Sequence, residues 1–397
     1  MACPAPSSKK SAKRNRPVLC KRPEDASRSM EISTAHGPLR APCYIPDATR
    51  GFVRSVDASD LEAVGIPALM INAYHLMTRP GIRVVQRLGG LHAFAGWRGP
   101  IVTDSGGFQV FSLIRQNPKH GQIRDHEIVF RPPDGKDKLI LTPEKVVQTQ
   151  FRLGADVMVA LDDCTGPEAP APEQRRAVDR TVAWARRARE EFERQLAQRR
   201  SEGPPPLLVA PIQGGNDAAL RRHCAQALID AGLHAFGFGG WPLDEEGALQ
   251  LEMFAVLHEV LPPEAPLFAL GVGKPDHLAA ITALGRPAVF DCSLPTRDAR
   301  HHRLYCFRDA PDPEGAPVVA GSNFYERLYI LDKKHATDPE PISPYCDALC
   351  CRRYSRGYLH HLFKCEDPLA LRLATLHNLR FYTQLSDQLQ RHGATTG

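Results

Sequence analysis

Apolar and polar positions change their period along the chain. Short, continuously apolar runs read as buried strands: "PALMINAY" (67–74), "PIVTD" (100–104), "VMVALDD" (157–163), "LLVAPIQ" (207–213), "AFGFGG" (235–240), "LFALGV" (267–272) and "AVFDC" (288–292). Between several of them lie longer stretches with helical spacing: 143–154, 172–200, 216–232, "DEEGALQLEMFAVLHEVL" (244–261) and "KPDHLAAITALG" (274–285). Strands that are apolar on both faces need helices to cover them. Seven or eight such units predict an α/β protein, a (β/α)8 barrel rather than an open sheet. "PLRAPCYIPDATRGFVRSV" (38–56) predicts short strands placed before the barrel, and 367–392 predicts a long amphipathic last helix. The Pro/Gly-rich stretches 201–208 and 309–322 read as loops. The expected organisation is a basic tail over 1–28, a barrel over 29–310 and a C-terminal helical subdomain over 311–397.

Composition narrows the class. The chain has 397 residues, 43% hydrophobic and 24% charged, which is ordinary for a globular protein. No apolar run reaches the roughly 20 residues that span a bilayer, and the N-terminus has no apolar signal segment. The expected compartment is the cytoplasm, with no membrane partner. Eleven scattered cysteines do not suggest a disulfide framework there, but Cys346, Cys350 and Cys351 cluster as metal ligands do. Residues 1–28 carry eight Lys or Arg and two acids, so the net +5 belongs to that tail and the remainder stands at −1. A polyanion site on the body must therefore be a local patch. The tail, poor in apolar residues, is expected to be disordered.

Polar residues end the predicted strands: Asn72, Asp104, Asp162 with Asp163, Gln213, Gly239 with Gly240, Gly271 and Asp291. In a parallel barrel these ends share one rim, the face that carries active sites. Separated carboxylates suit cleavage of a glycosidic bond, one attacking the anomeric carbon and the other moving a proton. Arg297 and Arg300 just beyond Asp291 suit phosphates better than a neutral sugar. The residues alone thus point to a barrel enzyme acting on a phosphorylated or polynucleotide glycoside.

"TDSGGFQVFSL" (103–113), "IQGG" (212–215), "FDCSLPTRDAR" (290–300) and the segment 354–382 resemble the tRNA-guanine transglycosylase (queuine tRNA-ribosyltransferase) family. "NAYHLMTRPG" (72–81), "GADVMVALDDC" (154–164) and "GVGKPDHL" (271–278) match it in the same order, over roughly 30–385. The resemblance implies a zinc-containing barrel that replaces the wobble guanine (position 34, G-U-N anticodons) of tRNA by a 7-deazaguanine, in queuosine modification. It implies Asp291 as nucleophile on ribose C1′ and Asp104 as acid/base. It implies that Ser105, Asp162, Gln213 and Gly240 bind the purine, that Phe108 stacks on it, and that Arg297 and Arg300 contact the anticodon loop. A homodimer is implied as well. Asp163, Asn72 and His75 are expected to shape the site rather than react.

Two stretches depart from the family pattern. "GGWPLDEEG" (239–247) stands where "GGLAVGE" is common, so the loop that selects the incoming base is altered and either the aminomethyl precursor (preQ1) or queuine is admitted. The metal pattern Cys-x-Cys-x2-Cys, with a histidine 26 residues on, is met by Cys346, Cys351 and His377, but Ala348 holds the middle position. The expectation is a structural Zn2+ on Cys346, Cys351 and His377, with adjacent Cys350 the candidate fourth ligand. Two other readings stand beside the leading one. The first is a non-catalytic tRNA-binding accessory subunit, which the presence of both Asp104 and Asp291 disfavours. The second is base exchange on another nucleic acid, for which Asp298, His301 and His302 leave room.

Overall fold

The structure, a computed structural model, describes residues 29–132, 138–166, 168–200, 203–311, 318–321 and 323–396. The basic tail lies outside them. Eight strands form one parallel sheet: β1 (Cys43–Pro46), β2 (Leu69–Ile71), β3 (Ile101–Thr103), β4 (Val157–Val159), β5 (Leu207–Ile212), β6 (Ala235–Phe238), β7 (Leu267–Ala269) and β8 (Ala288–Cys292). Their order runs β1-β8-β7-β6-β5-β4-β3-β2. A bridge between Asp47 and Met70, with Ala48 N–H donating to the Met70 carbonyl at 2.7 Å, brings β2 back to β1. The barrel is nearly closed, and little edge is left to pair with another chain.

The first strand corrects the expectation that 38–56 lies ahead of the barrel. Cys43–Pro46 is itself a barrel strand, paired with β8 from Val289↔Cys43 to Cys292↔Pro46. Ahead of it, the antiparallel hairpin Met30–Thr34/Gly37–Ala41 stands outside the barrel. Its Ile32, Leu39 and Ala41 pack among the barrel-interior residues and plug the N-terminal mouth.

Alternation along the strands divides the apolar residues into two layers. Cys43, Ile45, Met70, Val102, Val157, Val159, Val209, Ala235, Phe268 and Val289 fill the interior. Their neighbours, such as Tyr44, Ile71, Ile101, Met158, Phe236 and Phe290, face the surrounding helices. Cutting one of the larger interior side chains to alanine is worth ~2–5 kcal/mol, because a closed barrel cannot collapse onto the void.

The predicted helices are found at Pro143–Leu153, Ala171–Gln198, Ala218–Asp230, Pro275–Ala283 and Pro368–His392. The helix expected over 244–261 begins only at Leu251 and ends at Val260. Residues 241–250 instead fold into a small loop. Gln250 N–H donates to the Pro242 carbonyl at 3.0 Å, Leu243 bridges Leu249, and Gly247 turns the chain at φ +80°. Glycine tolerates that φ, whereas a helix interior would not use it. The helix Pro368–His392 is capped by Asp367, whose side chain accepts from Leu369 N–H. It packs on β1 and on the short helix Leu294–Arg300, so the C-terminal segment is braced against the barrel wall.

Candidate active site and metal centre

The interior parity of the strands, continued by two or four residues, reaches the C-terminal rim. Cys43 and Ile45 lead to Asp47, Met70 to Asn72, Val102 to Asp104, Val209 to Gln213 and Val289 to Asp291. The rim of the barrel mouth is thus polar where the layers below are apolar. Asp104 and Asp291 are both half-buried there.

Asp104 is held through both oxygens. Oδ1 accepts from the N–H groups of Ala73 (2.9 Å) and Gly106 (3.1 Å), and Oδ2 accepts from Asn72 Nδ2 at 2.5 Å. Burial nevertheless pushes its carboxyl up to about 7, with Asp47 and Asp291 adding to the rise and the two backbone donors opposing it. Burial also pushes Asp291 up to about 7, with Asp47 again contributing. Asp291 accepts one bond, from Gly271 N–H to Oδ1 at 3.3 Å. Its Oδ2 has no partner among the described residues. Asp47 thus raises both carboxyls, and Asp291 raises Asp104 as well, so both stand above the ordinary aspartate range.

Beside this pair, Asp162 accepts from Gln213 Nε2 at 2.6 Å. Burial raises Asp162 to about 6, opposed by the Gln213 bond. Gly239 is required by this packing, since a Cβ there would stand 2.8 Å from Gln213 Nε2. Gly240 follows at φ +84°. Ser105 is buried and accepts from Gly107 N–H at 3.1 Å. Gly106 takes φ +74° against Tyr74, where a Cβ would come within 2.8 Å. The "SGG" run is therefore a steric requirement for turning the chain past Asp104. Phe108, 41% exposed, meets Trp241 edge to face at 5.3 Å, and Trp241 lines a cleft together with Gln213, Gly240 and Gln250.

Arg297 is exposed and Arg300 half-buried on the helix Leu294–Arg300. Burial lowers Arg300, with Arg54 and Arg297 contributing, so three cations share this side of the mouth. Asp298 between the two arginines turns inward instead, where it is buried and accepts from Tyr305 Oη at 2.6 Å. That inward turn removes one of the features that left room for a different nucleic acid. Asp163 pairs with Arg180 and its N–H donates to Thr181 Oγ1, which holds it in the wall.

The sequence leaves Asp47 and Arg221 unassigned and gives Asn72 a smaller part than it plays. Asp47 follows directly on β1, a strand too short and too proline-flanked to be recognised; its signal was the alternation from Cys43. Asn72 was read as pocket wall but grips Asp104. Arg221 is fully buried in the helix Ala218–Asp230 and donates to the carbonyls of Ile212 (2.9 Å), Gly215 (2.8 Å) and Gly239 (3.3 Å). It ties together the two loops that carry Gln213 and Gly240. Burial lowers it to about 10. Nothing local marks it out, because one arginine in a helix is usually solvated.

In the C-terminal segment Cys346, Cys350, Cys351 and His377 lie with their ligand atoms all within 4.8 Å of one another. The short helix Leu349–Arg353 begins after Ala348, and Cys350, two residues beyond that position, supplies a third sulfur to the cluster. Cys351 Sγ stands 3.2 Å from His377 Nδ1, and Cys350 Sγ 3.9 Å from Cys351 Sγ. His377 Nε2 faces the Tyr305 carbonyl at 2.7 Å, which fixes the proton there and leaves Nδ1 free as a ligand. Three sulfurs and one imidazole, buried and converging, make a donor set that fits a metal ion.

A polar C-terminal rim carrying two carboxylates, on a nearly closed parallel barrel, is the kind of site that α/β-barrel enzymes present. A family model described as queuine tRNA-ribosyltransferase matches residues 24–392. Curated relatives of that name include one from Methylacidiphilum infernorum, 35% identical over 94% of this chain and 93% of its own length. Another, from Aliivibrio fischeri, is 34% identical over 92% and 90%. A third, from Brucella suis, is 35% identical over 91% and 88%. The chain belongs to the queuine tRNA-ribosyltransferase family. No helix among the described residues is long and apolar enough to cross a membrane.

Proposed function

We propose that this enzyme replaces a guanine in a tRNA anticodon loop by a 7-deazaguanine through a covalent Asp291–ribose intermediate. An Asp291 oxygen attacks C1′ as the C1′–N9 bond breaks. The bonding pair leaves with guanine, which takes a proton from Asp104. Asp104 then removes the N9 proton of the incoming base, whose nitrogen attacks C1′ and expels the Asp291 carboxylate. Atoms and charge balance, and the phosphodiester backbone is untouched.

The observation that carries this reading is the contrast between the two carboxylates. Both Asp104 oxygens are engaged by fixed donors, which suits a group that moves a proton from one place. Asp291 keeps Oδ2 free, which suits a nucleophile. Asp162 and Gln213 supply an acceptor and an amide for a purine edge, with Ser105 and Gly240 beside them and Phe108 placed to stack. Arg297, Arg300 and Arg54 supply charge for phosphates, and an unstacked loop base is the substrate form that can enter. Zn2+ on Cys346, Cys350, Cys351 and His377 would brace the last helix against the barrel and take no part in the exchange.

We expect a homodimer, in keeping with the exposed Phe52 and Leu88 and the stacked Tyr354 and Tyr358. The testing experiment loads a G-U-N anticodon transcript with labelled guanine and offers each deazaguanine. Base-dependent release that disappears in Asp291→Asn supports the reaction. Intact binding of tRNA with no release by the wild type would return the accessory-subunit reading.

A further inference from the structure

We propose that His36, His92 and Asp156 form a second metal site, for a divalent transition ion such as Zn2+, Co2+ or Ni2+, at the N-terminal mouth of the barrel. The site is independent of the base-exchange reading, because Asp156 precedes its strand whereas Asp104 and Asp291 close theirs at the opposite mouth.

Three separate segments converge here. His36 sits in the turn of the hairpin Met30–Thr34/Gly37–Ala41, His92 in the short helix Gly90–Ala95, and Asp156 immediately before β4. Their ligand atoms all lie within 4.8 Å of one another. His36 Nδ1 is 2.8 Å from Asp156 Oδ1, and His92 Nε2 is 3.2 Å from Oδ2. The carboxylate is oriented from the barrel side, where Ile101 N–H donates to Oδ2 at 2.9 Å. Outer hydrogen bonds of this kind fix a ligating carboxylate in place. The Gly99 carbonyl, 3.1 Å from His92 Nε2, adds a further oxygen. The Asp156 side chain is 2% exposed, that of His92 15% and that of His36 38%. The site therefore has a buried floor and one edge open to solvent.

Two imidazoles and a carboxylate make a nitrogen–oxygen donor set that suits zinc and its neighbours, whereas Mg2+ and Ca2+ prefer oxygen alone. Four-coordinate zinc needs one more ligand, which water at the open edge can supply. The two rings stack, with centroids 3.4 Å apart and 16° from parallel. Parallel rings cannot both aim a nitrogen lone pair at one ion, so binding turns one of them, and His36 on its exposed turn is the ring with room to move. Each nitrogen that now donates to Asp156 must give up its proton, to the other nitrogen of its ring or to solvent. The bound ion joins hairpin, helix and β4, and so holds the plug in the N-terminal mouth. Its contribution is to stability, as befits that face of a barrel. With three protein donors and an open edge, the ion exchanges more readily than one enclosed by Cys346, Cys350, Cys351 and His377, so purified chain keeps the latter and takes up the former on addition.

The full, untagged chain, with zinc on its cysteine cluster, is titrated with Co2+. The wild type is expected to bind one Co2+ per chain, with weak ligand-field bands and no sulfur-to-cobalt charge-transfer band, and its Tm should rise with Co2+ concentration. His36→Phe and His92→Phe each keep a ring for the stack and remove the nitrogens. Each should weaken Co2+ at least about tenfold, since even outer-shell partners of a metal cost that much. His223→Phe, at an exposed histidine on the helix Ala218–Asp230, should bind as the wild type does. If His92→Phe does not fold, His36→Phe on the exposed turn decides alone. No Co2+ bound beyond the zinc, undiminished binding in His36→Phe, or a sulfur charge-transfer band on the added Co2+ each overturn the site.

Discussion

Asn72 Nδ2 donates to Asp104 Oδ2 at 2.5 Å, across 32 residues of sequence and between the ends of two adjacent strands. The bond favours the charged form of Asp104 and fixes the oxygen that would exchange the proton. Asn72→Ala should leave the fold intact and lower kcat by about 10–100-fold, the range of a lost positioning contact in general acid–base chemistry. With one donor gone, the Asp104 pKa rises further. If Asp104 must be protonated for guanine to leave, the alkaline limb of the rate profile moves to higher pH. A kcat–pH profile of the variant checks the sign.

Asp47 acts on both carboxylates without touching either through a hydrogen bond, and its own Oδ1 accepts from Thr49 Oγ1 at 2.6 Å. Its negative charge raises Asp104 and Asp291 together. Asp47→Asn should therefore lower both and shift the whole pH–rate profile toward lower pH. The shift should be a few tenths of a unit, about 0.5 kcal/mol at each group. A profile that does not move would show that Asp47 does not tune the pair.

Arg221 has no carboxylate partner among the described residues; its charge is met by loop carbonyls and by the Phe238 ring, 4.1 Å below the guanidinium carbon. Lysine cannot make this fan of bonds, because its donors radiate from one point. Arg221→Lys should cost about 3–5 kcal/mol of stability, the scale of breaking a buried charge network. It should also raise KM for the incoming base more than it changes kcat, since the loops of Gln213 and Gly240 loosen together. Thermal melting and steady-state kinetics on the same sample separate the two effects.

The metal prediction turns on Cys350. Metal analysis of purified protein should find one zinc per chain. Cys350→Ser should lose it and melt earlier, because metal affinity is folding free energy at such a site. Ala348→Cys should not rescue it fully, since Ala348 precedes the short helix and Cys350 is already turned inward. Zinc retained at full stoichiometry in Cys350→Ser would remove Cys350 from the ligand set.

Sequence by itself determined the strands from β2 to β8, the barrel class, the long last helix and the two aspartates after "VT" and "VF". These are local signals: period, composition and a polar residue closing an apolar run. Tertiary structure decided what periodicity cannot encode. β1 joins the barrel because Cys43–Pro46 pairs with a strand about 245 residues away, and its four residues carry too short a pattern to stand out. The loop 241–250 escaped a helix because Gly247 and a bridge between Leu243 and Leu249 took its backbone bonds. Asp162 met Gln213, Asn72 met Asp104, and Cys350 took the place left by Ala348, through contacts between segments that closure of the barrel and the packing of the last helix bring together. Local chemistry thus named the candidate carboxylates, and long-range packing chose which neighbours hold and tune them.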